Sequence, residues 1–216
     1  SVIVGDSTYE NPVPTKMYWR PDKMICEYEV GGISIREEKF IAENDVVSTI
    51  MTASEPVTMT FTGRSFITQN SGGKLLSSTA VGRYDTTNSA IHITQGGTAV
   101  AQPEYGVFRD GILMYDKMSS VISASTPLVN VVLTITAEPT TGGDTIQNII
   151  NYSFELPVGD EPVTLSWLID DSYDTALTAV KEVLADPEAQ LQAKTDKMNG
   201  QLNEQIPYFR CSDDDI

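Results

Sequence analysis

Few side chains in this sequence have the type and spacing that catalysis needs. The single histidine, His92, lies between Ile91 and Ile93 in an alternating segment, so it is interpreted as a structural residue on a sheet face. One histidine cannot supply a multi-histidine metal site. A histidine-based triad is disfavoured because this histidine is interpreted as structural. Acidic residues number 30, so composition allows a general acid and a general base, but no pair is marked by its spacing. The sequence therefore nominates no catalytic residue.

Two short motifs resemble ligand-binding loops without meeting their requirements. Asp213, Asp214 and Asp215 offer the oxygen atoms that Ca²⁺ prefers. They lack the alternating spacing and the turn glycine of a calcium loop, so a solvated acidic stretch is favoured over a weak Ca²⁺ site. Residues 72–74 read Gly-Gly-Lys, without the following Ser or Thr and the strand–helix context of a phosphate loop. No cofactor is expected.

Two adjacent aromatic residues, Tyr18 and Trp19, are candidates for binding substrate. They are predicted in an early loop over 17–21, where flat rings could stack on sugar faces. The alternative is an aromatic plug that seals the edge of the fold. The other tryptophan, Trp167, belongs to an alternating segment and is interpreted as core.

Composition excludes some partners and favours a location. The net charge is −16, and the 14 Lys and Arg residues form no cluster, so a nucleic-acid surface is excluded. No apolar stretch approaches the roughly 20 residues that span a bilayer. A dispersed acidic surface is common in secreted proteins, and a secreted or periplasmic location is favoured. Of the two cysteines, Cys26 is expected to be a buried free thiol, and a bridge to Cys211 stays open.

Short alternating segments dominate residues 1–170 and predict strands. Val57, Met59 and Phe61 alternate with three threonines, which is typical of a half-buried strand. Segments 24–30 and 33–40, separated by two glycines, predict a hairpin. Further strand candidates are 46–52, 90–94 (closed by Gly96 and Gly97), 111–115, 131–136, 149–156 and 163–169. Many strands without intervening helices predict a mainly β chain, folded as a large antiparallel β-sandwich of the supersandwich type.

After residue 170 the hydrophobic period changes from two to between three and four. Asp171 or Ser172 is a credible N-cap, and Asp186-Pro187 is expected to separate two helices. The first helix carries an apolar stripe of Tyr173, Ala176, Leu177, Val180, Val183 and Leu184; the second, over about 187–204, aligns Leu191, Lys194, Met198 and Leu202. We therefore predict a β-sandwich domain over 1–170, a helical linker over 171–206, and the start of a further domain in 207–216.

Three stretches carry a resemblance to a known architecture. Residues 163–171 (Val-Thr-Leu-Ser-Trp-Leu-Ile-Asp-Asp), the helical stripe 173–184, and residues 206–213 (Ile-Pro-Tyr-Phe-Arg-Cys-Ser-Asp) resemble the junction in glycoside hydrolases built on an (α/α)₆ barrel, such as glucoamylases, trehalases and processing α-glucosidases. In those enzymes a β-sandwich and a helical linker precede the barrel. The resemblance implies that the acid and base carboxylates lie on the barrel, beyond Ile216. It also implies that Tyr208, Phe209 and Arg210 lie nearest the barrel, where they either approach bound sugar or form a structural seam, which is the favoured interpretation.

The sequence thus indicates a non-catalytic N-terminal sandwich and linker of a carbohydrate-active enzyme, inactive by itself. Its expected partners are a downstream helical barrel, in the same polypeptide or a separate chain, and an oligosaccharide. The alternatives are a free-standing carbohydrate-binding sandwich, which the Tyr18 and Trp19 pair favours, and an extracellular structural or assembly module.

Overall fold

The computed structural model describes residues 1–65, 73–101, 112–139 and 146–204. Within these ranges, thirteen strands form two antiparallel sheets, and two helices follow, which confirms the mainly β sandwich with C-terminal helices. The strands are β1 (Val2–Val4), β2 (Ser7–Tyr9), β3 (Lys16–Trp19), β4 (Met24–Val30), β5 (Ile33–Ile41), β6 (Val47–Ala53), β7 (Val57–Arg64), β8 (Gly73–Asp85), β9 (Ala90–Ala101), β10 (Ile112–Ala124), β11 (Val129–Pro139), β12 (Ile146–Val158) and β13 (Val163–Asp170). The helices are α1 (Tyr173–Ala185) and α2 (Pro187–Glu204).

The two sheets differ in width. Sheet A has the order β11-β12-β7-β1-β2, and sheet B has the order β3-β4-β5-β6-β13-β10-β9-β8. The face of sheet B that packs on sheet A is called the inner face here, and the face that packs on α1 the outer face. Because sheet B is the wider of the two, its inner face extends beyond the strands that cover it.

The predicted hairpin of β4 and β5 is confirmed. Val30 pairs with Ile33, and the two residues between them, Gly31 and Gly32, have φ values of 59° and 83°. Two consecutive positive φ angles characterise the tight turn whose twist matches that of the flanking strands. Glycine adopts them without the steric cost that a Cβ would bring.

The main core lies between the sheets and follows the alternation of the strands. On β7, Val57 and Met59 are buried, as the period of two predicts. From the other strands the most completely buried side chains are Met51, Ile91, Ile93, Ile150, Phe154 and Leu156. Full burial of each such side chain stabilises the fold by roughly 1.5–3 kcal/mol relative to exposure.

A second core forms where α1 packs on the outer face of sheet B. Ser172 is the N-cap, and its Oγ accepts a hydrogen bond from Thr175 N at 3.4 Å. One turn apart along the helix, Ala176, Val180 and Val183 are fully buried. They form one buried cluster with Phe40, Ala90 and Val121 of the sheet and with Val46, the residue before β6. The predicted stripe of α1 is therefore an integral part of the packing.

The second helix begins where predicted, and its stripe is only half-buried. α1 ends at Ala185, and Asp186 starts α2 by accepting a hydrogen bond at Oδ1 from Ala189 N at 3.0 Å. Along α2, Leu191, Lys194 and Met198 are half-buried, and Leu202 is exposed. The sheet therefore covers the first part of the predicted stripe and leaves its last member in solvent.

Several strands were missed or misplaced by the sequence interpretation. β1, β2 and β8 were not predicted, and the loop expected over 17–21 contains strand β3. Gly96 and Gly97 do not close β9, which continues to Ala101 between β8 and β10. The physical reason is that ladder pairing on both sides holds glycine extended in a central strand, so a local turn signal is overridden.

Candidate ligand-binding cleft

A cleft of about 290 Å³ opens between the two sheets at the end where β7 finishes. We call it the inter-sheet cleft. Sheet A and the residue after β7 contribute Phe61, Thr62, Arg64, Ser65, Tyr152 and Phe154. Sheet B contributes Ile93, Ser120, Ile122, Leu165, Trp167 and Ile169. A concave, mainly apolar site with a few polar groups is the usual form of a small-molecule site.

Three nearly parallel rings form the sheet A wall of the cleft. The centroids of Phe61 and Phe154 are 5.2 Å apart with 15° between the ring planes. Those of Tyr152 and Phe154 are 6.4 Å apart with 12° between the planes. Phe61 and Phe154 are direct partners in the register of β7 and β12, so the sheet itself fixes this stack.

The position of Tyr152 depends on a glycine in the neighbouring strand. Tyr152 pairs with Gly63, and a Cβ on Gly63 would lie 2.3 Å from both Cζ and Oη of the tyrosine. Every other residue would therefore displace the ring. Gly63 is the residue that allows Tyr152 to lie against the sheet at the end of the cleft.

The Tyr152 hydroxyl is available to a ligand. It donates no hydrogen bond to any residue within the described ranges, and burial raises the pKa of its phenol. The group therefore stays a neutral O–H donor at neutral pH. A hydroxyl both donates and accepts hydrogen bonds, so a ligand hydroxyl that reaches this group could bond to it in either direction.

Trp167 forms the opposite wall and corrects the sequence interpretation of this residue as core. Its side chain is 41% exposed, and that of Ile169 is 37% exposed. Trp167 pairs with Val47 on one side and Ile122 on the other, which places it on the inner face of sheet B. The alternation of β13 was read correctly, but sheet A does not reach far enough to cover this end of the strand.

Among the described residues that line the cleft, the one charged side chain is paired. Arg64, at its rim, forms an ion pair with Glu138 at 2.8 Å between Nη2 and Oε2. No carboxylate is found among the described residues that line the cleft. These residues therefore provide neither of the two carboxyl groups that glycoside cleavage requires. They do provide apolar and hydroxyl groups that could bind a neutral ring.

A polar groove between α2 and the outer face of sheet B has a different character. Thr195 Oγ1 donates to Asp22 Oδ2 at 2.8 Å, and Arg20 Nε donates to Asp22 Oδ1 at 3.1 Å. Burial raises the pKa of Asp22, but these hydrogen bonds outweigh it and the net shift is downward. Lys194 and Lys197 both pair with Glu43. These hydrogen bonds and ion pairs hold α2 on the sheet.

His92 joins α1 to sheet B, in keeping with the structural interpretation. Arg83 Nε donates to His92 Nδ1 at 3.2 Å, and the ring of Tyr173 stacks on the imidazole at a centroid distance of 4.2 Å. The Tyr173 hydroxyl donates to Asp85 Oδ2 at 2.6 Å. Burial, and then this hydrogen bond, raise the pKa of Tyr173 to about 12. These contacts pack the first turn of α1 against sheet B.

The predicted aromatic pair does not form one binding platform. Tyr18 and Trp19 are consecutive in β3, with 48% and 77% of their side chains exposed. Tyr18 pairs with Ile25 and Trp19 with Met24, so they project from opposite faces of sheet B. Trp19 is on the inner face, but four strand spacings of about 4.8 Å separate β3 from β13. The proposed roles of Tyr18 and Trp19 in substrate binding thus concern two separate surfaces.

The other candidates fall mostly outside the described residues. Tyr208, Phe209 and Arg210 lie there, as do Cys211 and the acidic run 213–215. Lys74 lies in β8, not in a loop that leads to a helix. Within the described ranges no group of His, Cys, Asp and Glu residues is arranged to hold a metal ion. Cys26 is buried and free.

Comparisons with known proteins give likenesses in structure and none in sequence. No family model matches the chain, and no curated protein is similar to it. Structures of a family GH92 alpha-mannosidase from Bacteroides thetaiotaomicron, the first without a named ligand and the second in complex with mannoimidazole, superpose with TM-scores of 0.44 and 0.42 at 12% and 13% identity. Each match covers 86% of this chain, which spans about a quarter (24%) of the length of the mannosidase chain. Likeness at this level establishes neither a shared family nor a shared activity.

None of the helices in the described part of the chain has the length and apolar character needed to cross a membrane.

Proposed function

We propose that this chain supplies the non-catalytic β-sandwich and helical linker of a carbohydrate-active enzyme, a glycoside hydrolase whose acid and base carboxylates lie outside residues 1–216. One observation carries the proposal: the helical exit is built into the sandwich. β13 ends at Asp170, and α1 then completes the second core by burying Ala176, Val180 and Val183 on the same sheet. This succession of sandwich and packed helices is the architecture that the resemblance in 163–184 implies.

The proposal assigns a role to each part of the chain. Residues 1–170 form the sandwich, 171–206 form the linker, and 207–216 open the downstream domain. That domain is an (α/α)₆ barrel, and Tyr208, Phe209 and Arg210 are the residues nearest to its sugar-binding cleft. The long inner face of sheet B supports a partner of this kind. At its uncovered end Met17, Trp19 and Ile41 are between 50% and 77% exposed, and exposed apolar groups that cluster in this way mark protein contact surfaces.

The test compares the 216-residue chain with the complete product of the gene that encodes it. Both are incubated with aryl glycosides and with oligosaccharides, and sugar release is measured. The chain by itself is expected to release none, and the complete product to release sugar. Turnover by the isolated chain would contradict the proposal, as would a complete gene without a further helical domain.

A second candidate function is a free-standing carbohydrate-binding sandwich. The observation that favours it is the inter-sheet cleft, whose exposed Trp167 and Tyr152 hydroxyl suit a ligand with an apolar face and polar edges. The sequence of the complete gene separates the two functions, because a free-standing module needs no barrel.

A further inference from the structure

We propose that the inter-sheet cleft binds a single ring of an uncharged sugar, with Trp167 against the apolar face of the ring and the Tyr152 hydroxyl bonded to a sugar oxygen. The choice of a sugar among rings of mixed polarity rests on the function proposed above. The cleft as a binding site rests on its own geometry.

The size of the cleft sets the size of the ligand. A volume of about 290 Å³ lies just below the range for small-molecule pockets, roughly 300–1,000 Å³. One ring of six atoms with its substituents fits this space, and a longer oligosaccharide would extend from the open end. The site therefore recognises a terminal residue or a free monosaccharide.

The walls select a ring with an apolar face. Trp167 stands on sheet B, and Phe154 and Tyr152 stand on sheet A, at the spacing of about 10 Å between packed sheets. A ring that enters the gap covers the exposed indole and thereby removes apolar surface from water. Tryptophan is also the side chain with the largest flat surface for such stacking.

The polar groups select hydroxyls on the edge of that ring. Tyr152 presents on one wall a phenol that makes no hydrogen bond to the described residues. On the other wall Ser120 lies between Ile93 and Ile169 in the register of sheet B. A hydroxyl both donates and accepts hydrogen bonds, so two such groups match a ligand whose own polar atoms are hydroxyls.

The charge balance selects against ions. Arg64 is paired with Glu138, so among the described residues that line the cleft a charged ligand would find no opposite charge free of an ion pair. Burial of an unpaired charge is strongly unfavourable. A neutral sugar therefore fits the site better than a sugar acid or a sugar phosphate.

The experiment uses the two tryptophans of the chain. In a Trp19→Phe background, Trp167 is the only tryptophan, and its fluorescence reports on the cleft. Titration with methyl α-glucoside, methyl α-mannoside, methyl β-galactoside and maltose is expected to change the emission, with a millimolar Kd for at least one of them. Toluene and phenol are titrated in parallel as planar aromatic probes.

Variants in the wild-type background locate the site, with NMR shifts as the readout. Trp167→Ala is expected to abolish sugar binding. Tyr152→Phe keeps the ring and removes the hydroxyl, so affinity should fall about 3- to 10-fold. Tyr9→Phe, on strand β2 at the far edge of sheet A, is the matched control for loss of a tyrosine hydroxyl and should leave the affinity unchanged.

Each outcome decides the inference. Sugar binding that is lost in Trp167→Ala and weakened in Tyr152→Phe supports it. Binding of the aromatic probes without any sugar overturns it and leaves the proposed function standing. Binding of nothing, or sugar binding that is insensitive to Trp167, overturns it as well. Sugar binding by a chain whose complete gene has no helical domain would instead refute the proposed function and keep the site.

Discussion

Tyr152 and Gly63 face each other across strands β12 and β7, and the tyrosine ring occupies the space where any other residue would place its Cβ. We predict that Gly63→Ala destabilises the fold by about 1–3 kcal/mol, because the ring or the backbone must move to avoid a contact of 2.3 Å. The free energy of unfolding in urea measures the effect.

Gly159→Ala is the matched control for this substitution. A Cβ on Gly159 meets no atom within 4 Å, so its effect should stay within about 0.5 kcal/mol. Equal destabilisation by the two variants would show that the close approach of Tyr152 is unimportant.

The second core predicts that α1 contributes to the stability of the sandwich. Val183 is fully buried against sheet B, and Val183→Ala should cost about 1–3 kcal/mol by leaving a small cavity. Its neighbour Glu182 is exposed, so Glu182→Ala should be nearly neutral. The measurement is chemical unfolding followed by far-ultraviolet circular dichroism. If Val183→Ala were as mild as Glu182→Ala, α1 would be a separable appendage.

The contact between Tyr173 and Asp85 predicts a dependence of stability on alkaline pH. The pKa of Tyr173 is raised to about 12, above the value near 10 of an unfolded chain. The folded state holds this phenolic proton more tightly, so the contribution is fully present below about pH 10 and is lost as the pH rises toward 12. The unfolding midpoints of the wild type and Tyr173→Phe should therefore converge over this interval.

Tyr18→Phe serves as the control for the alkaline profile, because the Tyr18 ring is half exposed at the sheet edge. Its hydroxyl makes no hydrogen bond to the described residues, so the variant is expected to be as stable as the wild type at pH 8. A constant gap between the wild type and Tyr173→Phe from pH 8 to 12 would contradict the proposed coupling.

On the acid side, the same pair predicts the opposite direction of change. Hydrogen bonds from Asn88, and then from Tyr173, lower the pKa of Asp85. Its stabilising contribution is present above the pKa of the unfolded chain, near 3.9, and is lost as the pH falls further. Asp85→Ala should therefore be destabilised relative to the wild type at pH 6, with a smaller gap at pH 2. A gap that widens on acidification would refute this account.

The polar groove predicts that α2 can be loosened without unfolding the sandwich. Thr195→Val removes the hydroxyl that donates to the buried Asp22. A hydrogen bond to a charged group contributes about 1.5–3 kcal/mol, so amide exchange in α2 should accelerate by about tenfold or more. Hydrogen exchange resolved along the chain measures this.

Thr178→Val, an exposed position on α1, controls for the loss of a helical threonine. Exchange in α2 should be unchanged there. Acceleration spread over the sandwich strands in Thr195→Val would mean that α2 is not an independent unit of opening.

Local pattern predicted those parts of the fold that local chemistry determines. The alternation of Val57, Met59 and Phe61 gave β7, two glycines with positive φ gave the hairpin, and Asp186-Pro187 gave the break between the helices. In each case a short stretch contains its own structural reason. The strand β3 was missed because its side chains are exposed along its length. A strand without a buried face need not alternate between apolar and polar residues, so its sequence gave no signal.

The candidate site was hidden from the sequence for a different reason. Trp167 continues an alternating row with Val163 and Leu165, and nothing local distinguishes a covered member of the row from an uncovered one. Its exposure is decided by where sheet A ends. The role of Gly63 depends likewise on Tyr152, 89 positions later in the chain, a pairing that only the register reveals. The one available signal for the cleft was the row of large apolar residues that continues to the end of β13.

The order of strands in sheet B has a consequence for synthesis. The last strand, β13, lies between β6 and β10, so two halves of the sheet stay separate until residues 163–170 have left the ribosome. Until that moment the edges of β6 and β10 offer unpaired backbone groups to any neighbouring chain. A nascent polypeptide of this kind needs shielding late in translation, and a nonsense mutation just before residue 163 should yield insoluble product, whereas one within α2 should leave a soluble sandwich.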